Sequence, residues 1–264
     1  MEEASELDNY LPLSFKTRSE EDYIAFLWDA FETNYTHDKN QFAFLAYHML
    51  TMSFVYFNIW QIKQNEPKDF EKGLIGFSKD IEKDLLEATS PFVFSTVNER
   101  SILRLLKLIQ CDNAKIGNYA KLVDDRNNTV HSNGNIFYSE QSALDRKITE
   151  ILRVVEEIQT HSRPMIEHCY EQFLFENHDP EEREYTDAID QIREVLIHHN
   201  YFSQKNIEIC LAYDISVHAD HTNYSDIHAL HQTLRDTYYD SEGEAKQPQE
   251  FPNDSDRNVT KEIT

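Results

Sequence analysis

Chain breakers and cross-links are what this sequence has least of. Five glycines and seven prolines in 264 residues exclude collagen-like and Gly- or Pro-rich low-complexity architectures. Aromatic residues make up 12% of the chain, with 16 Phe and 14 Tyr. Few breakers and many long side chains predict an all-α protein with short connections. The three cysteines, Cys111, Cys169 and Cys210, are odd in number, widely spaced and form no C-x-x-C. That excludes a disulfide framework or a cysteine zinc site as the basis of the fold. No Walker loop, G-x-S-x-G or Rossmann glycine pattern occurs, so no cofactor is implied.

Basic charge is also scarce. The 25 Lys and Arg stand against 48 Asp and Glu, a net charge of -23. Phosphate binding is driven by Lys and Arg, so broad, passive association with nucleic acid is excluded, whereas a local basic site is not. The opening Met1-Glu2-Glu3-Ala4-Ser5-Glu6 has no apolar signal core. The most apolar stretch, Phe42 to Ile62, is broken by His48, Thr51, Ser53, Asn58 and Gln61. It reads as a buried helix rather than a membrane span. The cytoplasm is the expected location, with no membrane partner.

Residues 1–18 are polar and read as a flexible N-terminus. Ser19-Glu20-Glu21-Asp22 has the form of a helix start, a Ser cap followed by acids. Tyr23, Phe26, Leu27, Ala30 and Phe31 then fall on one helical face. Asn40 is expected to cap a second helix running to about Gln64, apolar nearly all round and therefore central. Pro67 suits the first turn of a third helix through Leu85, broken by Pro91. Further helices are expected over Ile102–Ile109 and Ile116–Val123. Asn133-Gly134-Asn135 is the strongest turn signal. A long helix then opens near Ser139 and Ser142, with Pro164 expected to kink or interrupt it. Beyond a boundary at Asn177–Pro180, helices are expected near 181–198, 204–217 and 224–238. This gives a main helical domain over 19–177, a helical extension over 180–238 and a disordered acidic tail over 239–264.

The most informative stretch is Arg126-Asn127-Asn128-Thr129-Val130-His131. An arginine can hold a phosphate through a fork of donors, and a histidine can move a proton near neutral pH. Arg163 to His168 and Arg193 to His198 share the bare spacing, but they read as ordinary helix neighbours. The Arg126 stretch differs in its polar amide, Asn127, and in lying between several apolar helices and a long closing one. It resembles the signature of the HEPN family, all-helical proteins in which arginine is followed four to six residues later by histidine.

The resemblance implies a HEPN-like helical bundle and a metal-independent RNA endonuclease of toxin or antiviral-defence type. Arg126, Asn127 and His131 would be its catalytic residues, with Asp124, Asp125 and Asn128 as lesser supports. One motif offers a single histidine, so the resemblance implies a homodimer with a composite site. It also allows an antitoxin or defence-complex protein as partner.

Around the motif, Arg100, Arg104 and Lys107 are spaced to share a helical stripe, followed by Lys115 and Lys121. Residues 100–126 hold six basic side chains against Asp112, Asp124 and Asp125. Arg100, Arg104, Lys107 and Lys121 are therefore the expected RNA-binding residues. Two readings compete. His218, His221, His228 and His231, with Asp220 and Asp226, have spacing that could hold zinc. Solvated histidines are the simpler account, and no metal site is assigned. The other competing reading is a non-catalytic helical module that recognises a protein or a nucleotide.

Overall fold

The computed structural model describes residues 1–131 and 134–239. The described residues form an all-α structure with no strand. Two isolated bridges, Pro12 with Ser203 and Ile75 with Phe77, are the extended pairings among them.

Helix α3 (Asn40–Asn65) is the axis of the bundle. From Ala43 to Ile62 every side chain except Leu45 and Met49 is at least nine-tenths covered. The sequence is apolar around the whole helix, so it must be packed on all sides. Helix α2 (Arg18–Thr36) lies along it, with α6, α7 and α8 on its other faces. Each large side chain fully withdrawn from water here, such as Phe44, Phe54 or Phe57, contributes about 1.5–3 kcal/mol. One helix among the described residues is long and apolar enough to cross a membrane, and it is this covered one.

Helix α2 starts at Thr17 rather than Ser19. The Thr17 hydroxyl accepts the Glu20 N–H, and the Glu20 carboxylate accepts the Thr17 N–H. Only Thr17 has a glutamate three residues on, which makes the reciprocal cap.

The N-terminus corrects the expectation of a loose segment. Helix α1 (Glu2–Ser5) and a 3-10 turn (Glu6–Tyr10) place Ala4, Leu7 and Leu11 in the core. These apolar residues recur every three or four positions, enough to bury one side of a short segment. The Leu13 N–H donates to the Phe202 carbonyl at 2.9 Å, tying the segment to the C-terminal part.

The single helix expected over 67–85 is two, α4 (Pro67–Gly73) and α5 (Lys79–Leu86). Gly76 turns the chain at φ 104, which glycine adopts without steric cost, and Ser78 caps α5. Helix α6 (Glu99–Leu103) starts at the Asn98 cap and tightens into a 3-10 segment, Arg104–Ile109.

Helix α7 (Asn113–Val130) runs past the expected end near Val123 and carries Arg126 and Asn127 in its last two turns. Of the expected turn, Asn133 lies outside the described residues, and Gly134 has φ 81. Helix α8 (Gln141–Asn177) is continuous through Pro164. Proline removes one helical hydrogen bond, and both Pro164 and Thr160, whose carbonyl loses its donor, are exposed residues.

After α8 the expected helix over 181–198 begins only at α9 (Ala188–Gln191), which the Asp187 carboxylate caps. Arg183 is drawn instead to the Asn177 and His178 carbonyls at the end of α8. The chain continues as a π-helical stretch (Ile192–His198), α10 (Gln204–Ala212) and α11 (Tyr224–Tyr238). Ile192, Leu196, Ile207 and Leu230 join the same core as α3. Of the tail expected over 239–264, Tyr239 accepts from Gln204 at 2.9 Å; residues 240–264 lie outside the described residues.

Candidate phosphate-binding site around Arg126

Arg126 and His131 are five residues apart, a step of about 140° around a helix. The Arg126 side chain turns inward. Its Nη2 donates to Glu99 Oε1 at 2.7 Å. The other oxygen of Glu99 lies 3.3 Å from His48 Nε2. His48 is 2% exposed, Glu99 17% and Arg126 31%, so the line runs from core to surface. His48 Nδ1 is buried with no hydrogen-bond partner among the described residues.

Burial pushes the Glu99 carboxyl upward, but the contacts with His48 and Arg126 outweigh it and hold its pKa below the ordinary value. Tyr56 lies within the same field. Its hydroxyl is pushed well up by burial and by the charge of Glu99, against the pull of Arg126.

The first turn of α6 and the last turns of α7 are clamped by two adjacent pairs of opposite sense. Glu99 takes Arg126, while Arg100 takes Asp124. Asp125 pairs with Lys147 of α8 at 2.9 Å. Thus Asp124 and Asp125 brace the helices, and neither is the partner of Arg126.

His131 ends α7. Its backbone has left the helical region (φ -74, ψ 134), its N–H donates to the Asn127 carbonyl at 3.3 Å, and its side chain is exposed. Asn127 is half-buried beside Arg126. Gln41 fixes this end of α7. Its amide donates to the Thr129 carbonyl at 2.9 Å and accepts the Phe137 N–H at 3.1 Å. Thr129 itself is buried, its hydroxyl donating to the Asp125 carbonyl.

The expected RNA-binding strip is divided. Arg100 is spent on Asp124, and Lys115 on Glu157 of α8 at 3.0 Å. Arg104, Lys107 and Lys121 are exposed and make no ion pair among the described residues. Lys121 Nζ donates to Asn118 at 3.0 Å. The stripe also straddles the junction of α6 and its 3-10 continuation, so its spacing is not that of one regular helix.

The histidines of 218–231 do not converge. His218 Nε2 lies 3.0 Å from Glu171 and 2.8 Å from the Tyr213 hydroxyl. His231 is in the core, 2.8 Å from the Tyr170 hydroxyl. His221 packs against Phe175, and His228 against Tyr224. No group of three or more His, Cys, Asp or Glu placed to hold a metal occurs among the described residues.

Glu99, His48 and Gln41 were not anticipated from sequence. Glu99 sits one residue outside the basic window that opens at Arg100. His48 registers only as a polar interruption of an apolar helix, although a polar group buried there needs a partner. Compared with known proteins, the chain matches no family model, no curated protein and no solved structure.

Proposed function

We propose that this chain is a metal-independent RNA endonuclease in which Arg126 and His131 act on one phosphate. The carrying observation is the arginine–amide–histidine motif closing α7 ten residues before the long helix α8, with His131 exposed and Arg126 half-buried. The all-α setting agrees with the HEPN-type resemblance. RNA carries its own nucleophile. A base takes the 2′-hydroxyl proton, the oxygen attacks phosphorus, the bond to the 5′-oxygen breaks, and an acid protonates the leaving oxygen. The ends left are a 2′,3′-cyclic phosphate and a 5′-hydroxyl.

His131 serves as one member of the acid–base pair, and Arg126 stabilises charge on the phosphate. Asn127 orients the phosphate or the histidine. Exposed Arg104, Lys107 and Lys121 supply contacts to flanking phosphates, with Arg100 joining them when it leaves Asp124. The missing second proton carrier is supplied by His131 of a second copy, in a cytoplasmic homodimer held in check by a partner protein of antitoxin or defence type.

A second reading is favoured by one observation, the Arg126–Glu99 ion pair. In a non-catalytic binding module Arg126 would be a strut, with no anion to hold. Labelled single-stranded RNA, incubated with the purified protein with and without EDTA, separates the two. Cleavage that persists in EDTA and disappears in His131→Ala supports the nuclease. Absence of cleavage of any RNA by the free wild type supports the module.

A further inference from the structure

We infer that Glu99 is a built-in competitor for the RNA phosphate at Arg126, so that the site is closed by its own carboxylate until an anion displaces it. This rests on the RNA reading of the motif.

Three observations carry it. First, the Arg126 guanidinium is engaged by a carboxylate at 2.7 Å. A carboxylate and a phosphate present the same chemistry to arginine, two oxygens accepting from a fork of N–H donors, so they compete for the same donors. Second, Glu99 has somewhere else to go. Its other oxygen is already 3.3 Å from His48 Nε2, so release of Arg126 leaves the carboxylate hydrogen-bonded instead of bare. Third, the geometry runs outward. Glu99 and His48 lie deeper than Arg126, so an anion arriving from solvent meets the guanidinium first, and Glu99 retreats toward His48. In a chain of net charge -23, such a lock adds local repulsion at the one place where RNA must bind.

The test uses a probe that binds but is not cut, a fluorescein-labelled single-stranded DNA. Its affinity is read by anisotropy over a series of KCl concentrations, for the wild type, Glu99→Gln, Arg126→Gln and the double variant. Glu99→Gln is expected to bind about tenfold more tightly, the low end for a charge-assisted hydrogen bond. Its log affinity against log salt keeps the wild-type slope, because Arg126 neutralises a phosphate in the bound state of both, while Arg126→Gln flattens the slope by about 0.7, one phosphate fewer on a single strand. The gain in affinity vanishes in the Arg126→Gln background. Glu99→Asp, which keeps the charge but shortens the reach to Arg126, falls between wild type and Glu99→Gln and guards against a folding defect.

Unchanged or weaker binding by Glu99→Gln overturns the proposal and makes Glu99 a positioning residue. The same variants are titrated with pyrophosphate by calorimetry. If DNA does not bind but Glu99→Gln gains pyrophosphate affinity through Arg126, the competitor stands and the RNA reading falls. If neither probe shows an Arg126-dependent gain, the competitor falls, whatever the wild type does to RNA.

Discussion

Arg126→Ala and His131→Ala should look alike in an RNA cleavage assay and different in a melting experiment. Removing the Arg126 side chain leaves the Glu99 carboxylate with His48 as its remaining partner. Exposed ion pairs contribute about 0–1 kcal/mol, whereas breaking a fully buried pair costs about 3–5 kcal/mol. With Glu99 mostly covered and Arg126 about one-third exposed, a loss near 2 kcal/mol is expected, midway between those limits. For a chain of this size that lowers Tm by roughly 4–8 °C.

His131 is exposed and already beyond the last helical residue, so its replacement should change stability by less than about 0.5 kcal/mol. Cleavage, assayed well below either melting temperature, falls by about 100- to 10,000-fold in His131→Ala and comparably in Arg126→Ala. Adding Glu99→Gln to Arg126→Ala should restore most of the lost Tm and none of the cleavage. An Arg126→Ala protein that melts like wild type would refute the ion-pair reasoning, and cleavage surviving both single substitutions would refute the nuclease.

The same pair sets an acid limit. Glu99 has a folded pKa below its ordinary 4.5, so its contribution is present above that value and is lost as pH falls through the folded one. The stability gap between wild type and Glu99→Gln should therefore shrink below pH 4.5.

His231 gives the opposite residue type with the same sign. Burial beside Tyr170, helped by Arg235, depresses it from 6.5 to about 4. The neutral ring's contribution is complete above pH 6.5 and drains away between 6.5 and 4, and His231→Gln should flatten that slope in pH-dependent melts. Tyr201→Phe removes a hydroxyl that donates to the buried Glu20 carboxylate at 2.9 Å; the loss should be about 1–3 kcal/mol by urea titration. His218→Ala, which perturbs contacts with Glu171, Tyr213 and Phe175, should leave RNA cleavage unchanged with or without EDTA.

What sequence could and could not show follows from the range of the signals. Helix α3 was legible because eighteen of the twenty positions from Ala43 to Ile62 share one environment, and α8 because its apolar period resumes past Pro164, although the helix runs on where an interruption was allowed for. Helix starts were legible where cap chemistry is local, yet Thr17 outcompeted Ser19 through a glutamate three residues away. The packed N-terminus was missed because Ala4, Leu7 and Leu11 span barely two helical turns among polar neighbours, and their burial depends on α8 and α10. Arg126 and His131 could be named from spacing. The pairing of Arg126 with Glu99 could not, since 27 positions separate them and Asp124 and Asp125 stood closer in the chain. Only the packing of α6 on α7 assigns Asp124 to Arg100 and leaves Glu99 for Arg126.

The last expectation concerns assembly. The proposed transfer removes one proton and delivers another, a task for two carriers, and His48, the histidine joined to Arg126 through Glu99, is sealed from solvent. It can anchor Glu99 but cannot reach a bound RNA. On the proposed mechanism the second carrier is His131 of another copy. The surface beside His131 is suited to that. Gln41 draws Thr129 and Phe137 together, so their exposed neighbours Val130 and Ile136, with Phe42 next to Gln41, lie at the same end of the molecule. Bulky apolar side chains left in water at one end are the kind of surface that association covers. Sedimentation should give a mass near twice 31.2 kDa. Val130→Asp or Ile136→Asp should shift the protein toward monomer and reduce cleavage in parallel, while leaving the Tm of the separated chain unchanged. Mixing excess His131→Ala protein into wild type should inactivate the mixed dimers as well, because a shared site draws one histidine from each copy. A strict monomer that cuts RNA at nanomolar concentration would end the argument.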